Sequence, residues 1–365
     1  MKRLFFIIGN VILLVILTNT CVYGKDYDFQ RYFSKKVRLE PGSVLILDNP
    51  VGEIHITNID PELGPFVIVK QRVFATANEL AQSRYMVMTV RLDISRRPDT
   101  LYMKAIFPTH MYERFCYSDM GGFFTSEVSK IWHGKKFTVS PRKGVKLWSD
   151  IYLEVPAGTK ISVNSVATTF VVEDFVGDIE LFTDHASAMT AGSIQGNLWL
   201  TACHGNLSVG EFEGEFFYDG EDSDLSFCDI INGKVYAKST TGDLIWTAKS
   251  DSLDYLELES LSGNIILEGK IDKITKLTND EGDIDVKLEV PIVDSLLART
   301  NSGDIKIDAY ENFAKRILAK TEQGKIKHNL DGNDKYISSE LKGNKGVVEL
   351  ESKSGTIKIK LRSVE

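Results

Sequence analysis

The sequence predicts an all-β protein: a single-stack parallel β-solenoid with two short strands per coil of about twenty residues, plus an N-terminal β-rich insertion. Three observations predict it. A turn-plus-strand unit recurs in "TTGDLIWT", "LSGNIILE", "DEGDIDVK", "TNSGDIKID", "EQGKIKHN" and "KSGTIKIK". The spacing between units is nearly constant. The residues around each turn alternate apolar and polar with period two, as a strand with one buried face requires.

The turn glycines set the period. Gly205, Gly242, Gly263, Gly282, Gly303 and Gly324 are anchors, and Thr168, Ala186 and Ser223 fill the same phase. Successive anchors lie 18 to 21 residues apart. A period of this size marks a stacked architecture, because one such unit cannot bury its own apolar face. Two residues after the anchor come Leu207, Leu225, Leu244, Ile265, Ile284, Ile305 and Ile326. Four after it come Val209, Phe227, Trp246, Leu267, Val286, Ile307 and His328. Seven before it lie Ile161, Ile179, Leu198, Phe216, Val235, Leu256, Leu296 and Ile317, with Thr275 the exception. Each coil therefore reads strand, tight turn, strand, looser return. Coils stacked ~4.8 Å apart give a rod of roughly 40 Å over nine rungs.

Glycine and Asp/Asn at the corner suit a turn with positive φ and side chains that bond their own backbone. Ile357, Ile359 and Leu361 read as the inward side of a terminal rung, with Lys358, Lys360 and Arg362 as cations guarding its edge. The 31 residues from Gly324 to Gly355 mark the last coils as irregular.

The front of the chain divides differently. Residues 1–24 have the form of a signal peptide: Lys2 and Arg3, an apolar run from Leu4 to Leu17, and a cut before Lys25. An uncleaved anchor is the alternative, and either reading exports the chain to the periplasm, the cell surface or the medium. Residues 38–165 form an N-terminal β region. "SVLILDNPVGEIHITN" is a first coil with Gly52 as anchor, "ANELAQSRYM" a short helix, and Arg97-Pro98-Asp99 the turn of a hairpin. Residues 108–148 are an aromatic-rich insertion, and the repetitive solenoid occupies 166–365.

"VRLEPGSVLILDNPVGEIHITN", "IYLEVPAGTKISV" and the train of "SGDIKI"-like units resemble the bacterial putative adhesin family of β-solenoid domains of unknown function. The head domain of putative auto-transporter adhesins is similar. The resemblance covers about residues 38–362 outside the insertion. It implies an envelope-associated solenoid and brings no catalytic residues with it.

The chemistry is sparse. The net charge of −8 leaves no electrostatic footprint for nucleic acid. Past residue 24 three cysteines remain, Cys116, Cys203 and Cys228, so no disulfide framework holds the fold. Asp222, Asp224 and Asp243 crowd one corner, where a bound calcium ion would relieve their repulsion; the competing reading is a solvated acidic turn. His185, Cys203 and His204 share a corner but lack a fourth zinc ligand. In the insertion, Tyr112, Phe115, Trp132 and Trp148 are the binding candidates; the competing reading is a lid over the end of the stack. No nucleophile elbow, phosphate loop or paired-carboxylate signature is present. The sequence thus points to a non-enzymatic exported module that binds, adheres to or scaffolds an envelope or surface component, protein or glycan. Its only membrane contact would be an uncleaved N-terminal segment. The alternative is a glycan-binding or glycan-active solenoid working through the insertion.

Overall fold

The computed structural model describes residues 26–117, 126–249, 253–270, 273–292, 294–330, 334–343 and 345–363, with side chains except at 187–191. The leader and the 118–125 part of the insertion, with Phe123 and Phe124, lie outside the described residues.

Period-two alternation produces two parallel sheets, and their inward residues stack in vertical files. On the first face Leu45, Ile161, Ile179, Leu198, Phe216, Val235, Leu256, Thr275 and Leu296 lie in register on successive rungs. On the second, Leu207, Leu225, Leu244, Ile265, Ile284 and Ile305 do the same. All are buried and belong to one continuous core. Each fully buried aliphatic side chain stabilises the fold by about 1.5–3 kcal/mol. Between residues 166 and 233 the coils also carry a third short side, where Ile194, Phe212 and Ile231 stack in register.

The glycines are required for a reason other than the one expected. Most corner glycines do not have positive φ. Instead each of these glycines stands directly over the corner below, and a side chain on it would strike backbone. A Cβ on Gly263 would lie 2.0 Å from the carbonyl oxygen of Gly242; on Gly303 it would lie 1.9 Å from that of Gly282. The third side adds a second glycine column that does have positive φ, at Gly196, Gly214 and Gly233.

The C-terminal strand is not the terminal rung. Ile357–Arg362 inserts between Ile305–Tyr310 and Ile326–Lys327, pairing in parallel with both. Val347–Ser352 inserts in the same way between Ser295–Thr300 and Arg316–Thr321. The chain thus builds its last rung, closes it with the antiparallel strand Tyr336–Glu340, and returns to fill the rung beneath. This detour is the 31-residue irregularity. Lys358 and Lys360 consequently pair with Asp304 (3.0 Å) and Asp308 (3.2 Å) of the rung below rather than guard a free edge.

The other end is closed by strands that abandon the coil order. Thr100–Ile106 continues the first face beneath Val44–Asp48, and Arg91–Arg97 pairs antiparallel outside it in the expected hairpin. Val145–Val155 continues the second face beneath Val51–Asn58, followed by Phe66–Ala77 and then Tyr27–Arg38, both antiparallel. This last strand begins before residue 38 and was not read from the sequence. Helix α1 (Leu80–Thr89) packs Ser83, Met86 and Val87 against these outer strands.

Two outcomes check this architecture. Gly263→Ala should cost about 3 kcal/mol or more in chemical unfolding. Gly192→Ala, with no atom within 4 Å of the added carbon, should be near neutral. Ile357→Asp should cost about as much as Ile284→Asp, roughly 4 kcal/mol or more, because both side chains are interior.

Candidate functional site

The corner between the two faces carries a motif beyond its glycine. Three residues before Gly242, Gly263, Gly282, Gly303, Gly324 and Gly355 stands a small polar side chain: Ser239, Ser260, Asn279, Thr300, Thr321 and Ser352. The strand alternation points them inward, and all six are buried. Polar groups there need partners, and the turn supplies one. The N–H of Gly242 donates to Ser239 Oγ (3.0 Å), that of Gly282 to Asn279 Oδ1 (2.9 Å) and that of Gly303 to Thr300 Oγ1 (3.0 Å). The recurrent Ser/Thr/Asn-x-x-Gly spacing was visible in the sequence; its signal is a polar residue where the alternation calls for an apolar one.

The corner Asp and Asn side chains bond differently from expectation. They do not close their own turns; they staple rung to rung. Asp224 Oδ1 accepts from the N–H of Asp243 (2.9 Å), Asp243 Oδ1 from Asn264 (2.7 Å), Asn264 Oδ1 from Asp283 (3.1 Å) and Asp283 Oδ1 from Asp304 (2.8 Å). Asp304 Oδ1 continues the ladder to the N–H of Thr356 (2.7 Å), following the inserted strand.

Beside this corner runs a groove of about 630 Å³. Its walls cross six rungs, from Lys238-Ser239-Thr240 to Lys320 and Glu322. Four cations (Lys238, Arg299, Lys320, Lys353) face four carboxylates (Glu259, Asp280, Glu322, Glu351). Several pair across rungs: Lys238 with Glu259 at 2.9 Å and Arg299 with Glu351 at 3.2 Å. The Glu259 carboxylate raises the pKa of the Lys238 ammonium by accepting its hydrogen bond. Within the groove wall, the buried Ser260 Oγ and Thr278 Oγ1 have no hydrogen-bond partner. The site is therefore long, polar and charge-balanced, with unspent hydrogen-bonding capacity at its middle rungs.

The residues singled out by sequence fall elsewhere. Asp222 sits in the row of His204 and Thr241, its Oδ1 accepting from Thr241 Oγ1 at 3.1 Å, while Asp224 and Asp243 spend an oxygen each on the ladder. Among the described residues no three His, Cys, Asp or Glu side chains are grouped to hold a metal ion. His185 and His204 have ring centroids 6.2 Å apart. His185 is buried, and desolvation, then the nearby His204, push its pKa down to about 4. Cys116, Cys203 and Cys228 are free thiols.

Among the described residues of the insertion, the aromatic candidates do not form an exposed platform. Phe115, Trp132 and Trp148 are buried in a second core with Phe107, Phe137, Met86 and Val87, and half-buried Tyr112 packs against it. Phe115 stacks on Phe137 (4.5 Å between centroids) and Trp148 on Phe74 (4.2 Å). These side chains make the end of the stack solid, as the lid reading requires. A different aromatic file lies on the outer first face, where Trp199, Phe217 and Tyr236 stack in nearly parallel planes. Their ring faces cover one another, which leaves mainly edges for a ligand.

Residues 189–360 match the family model Toastrack DUF4097. Among solved structures the chain is similar to a putative cell adhesion protein from Clostridium sporogenes (13% identity, 92% of this chain and 100% of that one, TM-score 0.17). It is also similar to a putative adhesin from Bacteroides fragilis (12%, 90% and 97%, TM-score 0.29). A third is a putative lipid binding protein from Parabacteroides distasonis (9%, 90% and 96%, TM-score 0.34). No curated protein matches.

Asp283→Ala should lower stability by about 1 kcal/mol, and Asp283→Asn, which keeps the acceptor as Asn264 does, should restore it in urea unfolding. His185 gives a pH signature. Its folded pKa lies below the unfolded value, so its contribution is complete above about pH 6.5 and declines as pH falls toward 4. Wild type should lose about 2 kcal/mol more than His185→Leu between pH 7 and pH 5.

Proposed function

We propose that this chain, which carries a Toastrack DUF4097 domain, is a non-enzymatic exported binding module of the cell envelope. Its corner groove takes a neutral, hydroxyl-rich linear polymer, a glycan, lying along the stack. The observation that carries this reading is a groove across six rungs whose cations and carboxylates balance and whose wall holds a row of hydroxyl and amide side chains. A polyanion would meet four carboxylates and a polycation four cations. A chain of sugars offers one set of hydroxyl donors and acceptors per unit, and the groove offers one set of polar side chains per rung.

The leader-like segment, Lys2 and Arg3 followed by the apolar run to Leu17, supports export. The groove walls are mutually paired ions and turn-forming hydroxyls, which suits holding a polymer more than transforming it. The burial of Phe115, Trp132 and Trp148 favours a lid for the insertion, and the glycan is placed on the corner instead.

Calorimetric titration of the full chain with purified cell-wall and surface polysaccharides tests this. Binding should weaken about tenfold in Thr278→Val, which keeps the shape and removes the hydroxyl. Unchanged affinity in Thr278→Val and Ser260→Ala would remove the groove from the account, and cleavage of any bound polymer would overturn the non-enzymatic reading.

A further inference from the structure

We infer that the N-terminal end of the stack rests on an anionic lipid surface through the outer face of helix α1, independently of what the corner groove binds. Charge is divided unequally along the chain. Residues 26–160 hold 19 Lys and Arg against 15 Asp and Glu, whereas 161–365 hold 21 against 36. From Ile161 to Ile230 there are 13 acidic residues and no Lys or Arg. Because the N-terminal strands form one end of the rod, this is a charge separation along its axis. An anionic surface attracts the basic end and repels the acidic body, which favours an end-on approach.

The basic end also presents apolar side chains. Helix α1 is fixed by Ser83, Met86 and Val87 on its inner side, and Ser83 Oγ donates to the carbonyl of Tyr27 (2.6 Å). Its outer side leaves Tyr85 56% and Met88 64% exposed, with Leu80 at 38%. Met111, 41% exposed, meets the Tyr85 hydroxyl at 4.0 Å, and Tyr27 is 39% exposed at the start of the adjoining strand. Arg84 in the helix, over the Phe29 ring, and Arg91 just past its end flank this patch, with Glu79, Asp26 and Asp28 at its other edge. Tyr and Met amid arginines suit the boundary between lipid headgroups and acyl chains, where an amphipathic ring finds both of its preferred surroundings.

Where the leader-like run is kept as an anchor rather than cut before Lys25, it holds this end near lipid. The apolar run that closes at Leu17 is nine residues from Asp26, which is tied to the cap by Lys146 at 3.0 Å. Nine residues span at most about 30 Å. A bilayer holding that run lies within this reach of the N-terminal strand and of the helix bonded to it. The helix does not insert, since its inner face is committed to the core. Contact is shallow and made by the Tyr85 and Met88 side chains.

The test uses the full chain with vesicles of phosphatidylglycerol or of phosphatidylcholine, each doped with a photoactivatable lipid. Trypsin releases residues 85–91 between Arg84 and Arg91, so lipid adducts on this segment are read apart from those on residues 1–25. Adducts on 85–91 should be about fivefold more abundant with phosphatidylglycerol, fall with added salt, and disappear in the Tyr85→Ser, Met88→Ser double variant. Both side chains are exposed, and an unchanged melting temperature would show that the variant is folded. Adducts confined to residues 1–25, equal labelling in the two lipids, or labelling that survives the double variant would each overturn the proposal. Cross-links joining residues 85–91 to a protein in place of lipid would assign the patch to a protein partner and overturn it as well.

Discussion

Everything in this molecule depends on parallel strands stacking in register, so that each position lies about 4.8 Å above its equivalent one coil earlier. The arrangement gives unbranched vertical files, such as Leu225–Leu244–Ile265–Ile284–Ile305, and a core without gaps between rungs. It also places like on like. At the corner, backbone meets backbone so closely that glycine is the residue of choice, and small polar side chains occupy the position three residues earlier because they can serve the turn. On the outer faces the same superposition brings charges into register, and at several rungs the sign alternates: Glu215 under Lys234, Glu257 under Lys276, Asp285 under Lys306. Each exposed pair adds little, but a column of equal charges would be unfavourable at every rung.

The same constraint makes the ends the difficult part of the fold. A stack terminates in a row of unpaired backbone groups, and both ends solve this by leaving the parallel pattern. The far end adds the antiparallel strand Tyr336–Glu340 and then threads the C-terminus back beneath it. The near end lays antiparallel strands beyond the parallel ones and fills the space below with Phe107, Phe115, Phe137 and Trp148. The outermost strands there are rich in arginine and lysine, which discourages pairing with another chain and makes this end basic relative to the acidic body. Edge protection and charge asymmetry are thus two consequences of one arrangement.

Function on such a scaffold resides in whatever the stacking leaves unsatisfied. The aromatic file of Trp199, Phe217 and Tyr236 is self-satisfied, each ring covering the next. The corner carboxylates are occupied in holding the rung above. Two surfaces stand apart from these: the groove at the corner with its row of polar side chains, and the helix whose outer side chains project from the basic end. These surfaces lie on different parts of the molecule, one on a corner of the stack and one on its N-terminal cap.

The sequence by itself determined the repeat, its period, the inward files and the phase of the substituted anchors, because period-two alternation and fixed spacing are local properties repeated many times. Thr168, Ala186 and Ser223 occupy the glycine position of the register as their spacing implied. Only the tertiary structure decided the order of the last rungs, since Ile357 pairs equally well in composition with Ile305 or Ile326 and nothing local distinguishes an interior rung from a final one. It also decided the fate of the insertion, whose aromatic composition suits a binding face as well as a core. Phe115, Trp132 and Trp148 became core because the end of the stack presented an apolar surface that had to be covered, and that surface exists only once the coils are assembled. The groove was hidden for the same reason: Ser260 and Thr278 are ordinary strand residues until six rungs place their neighbours around them.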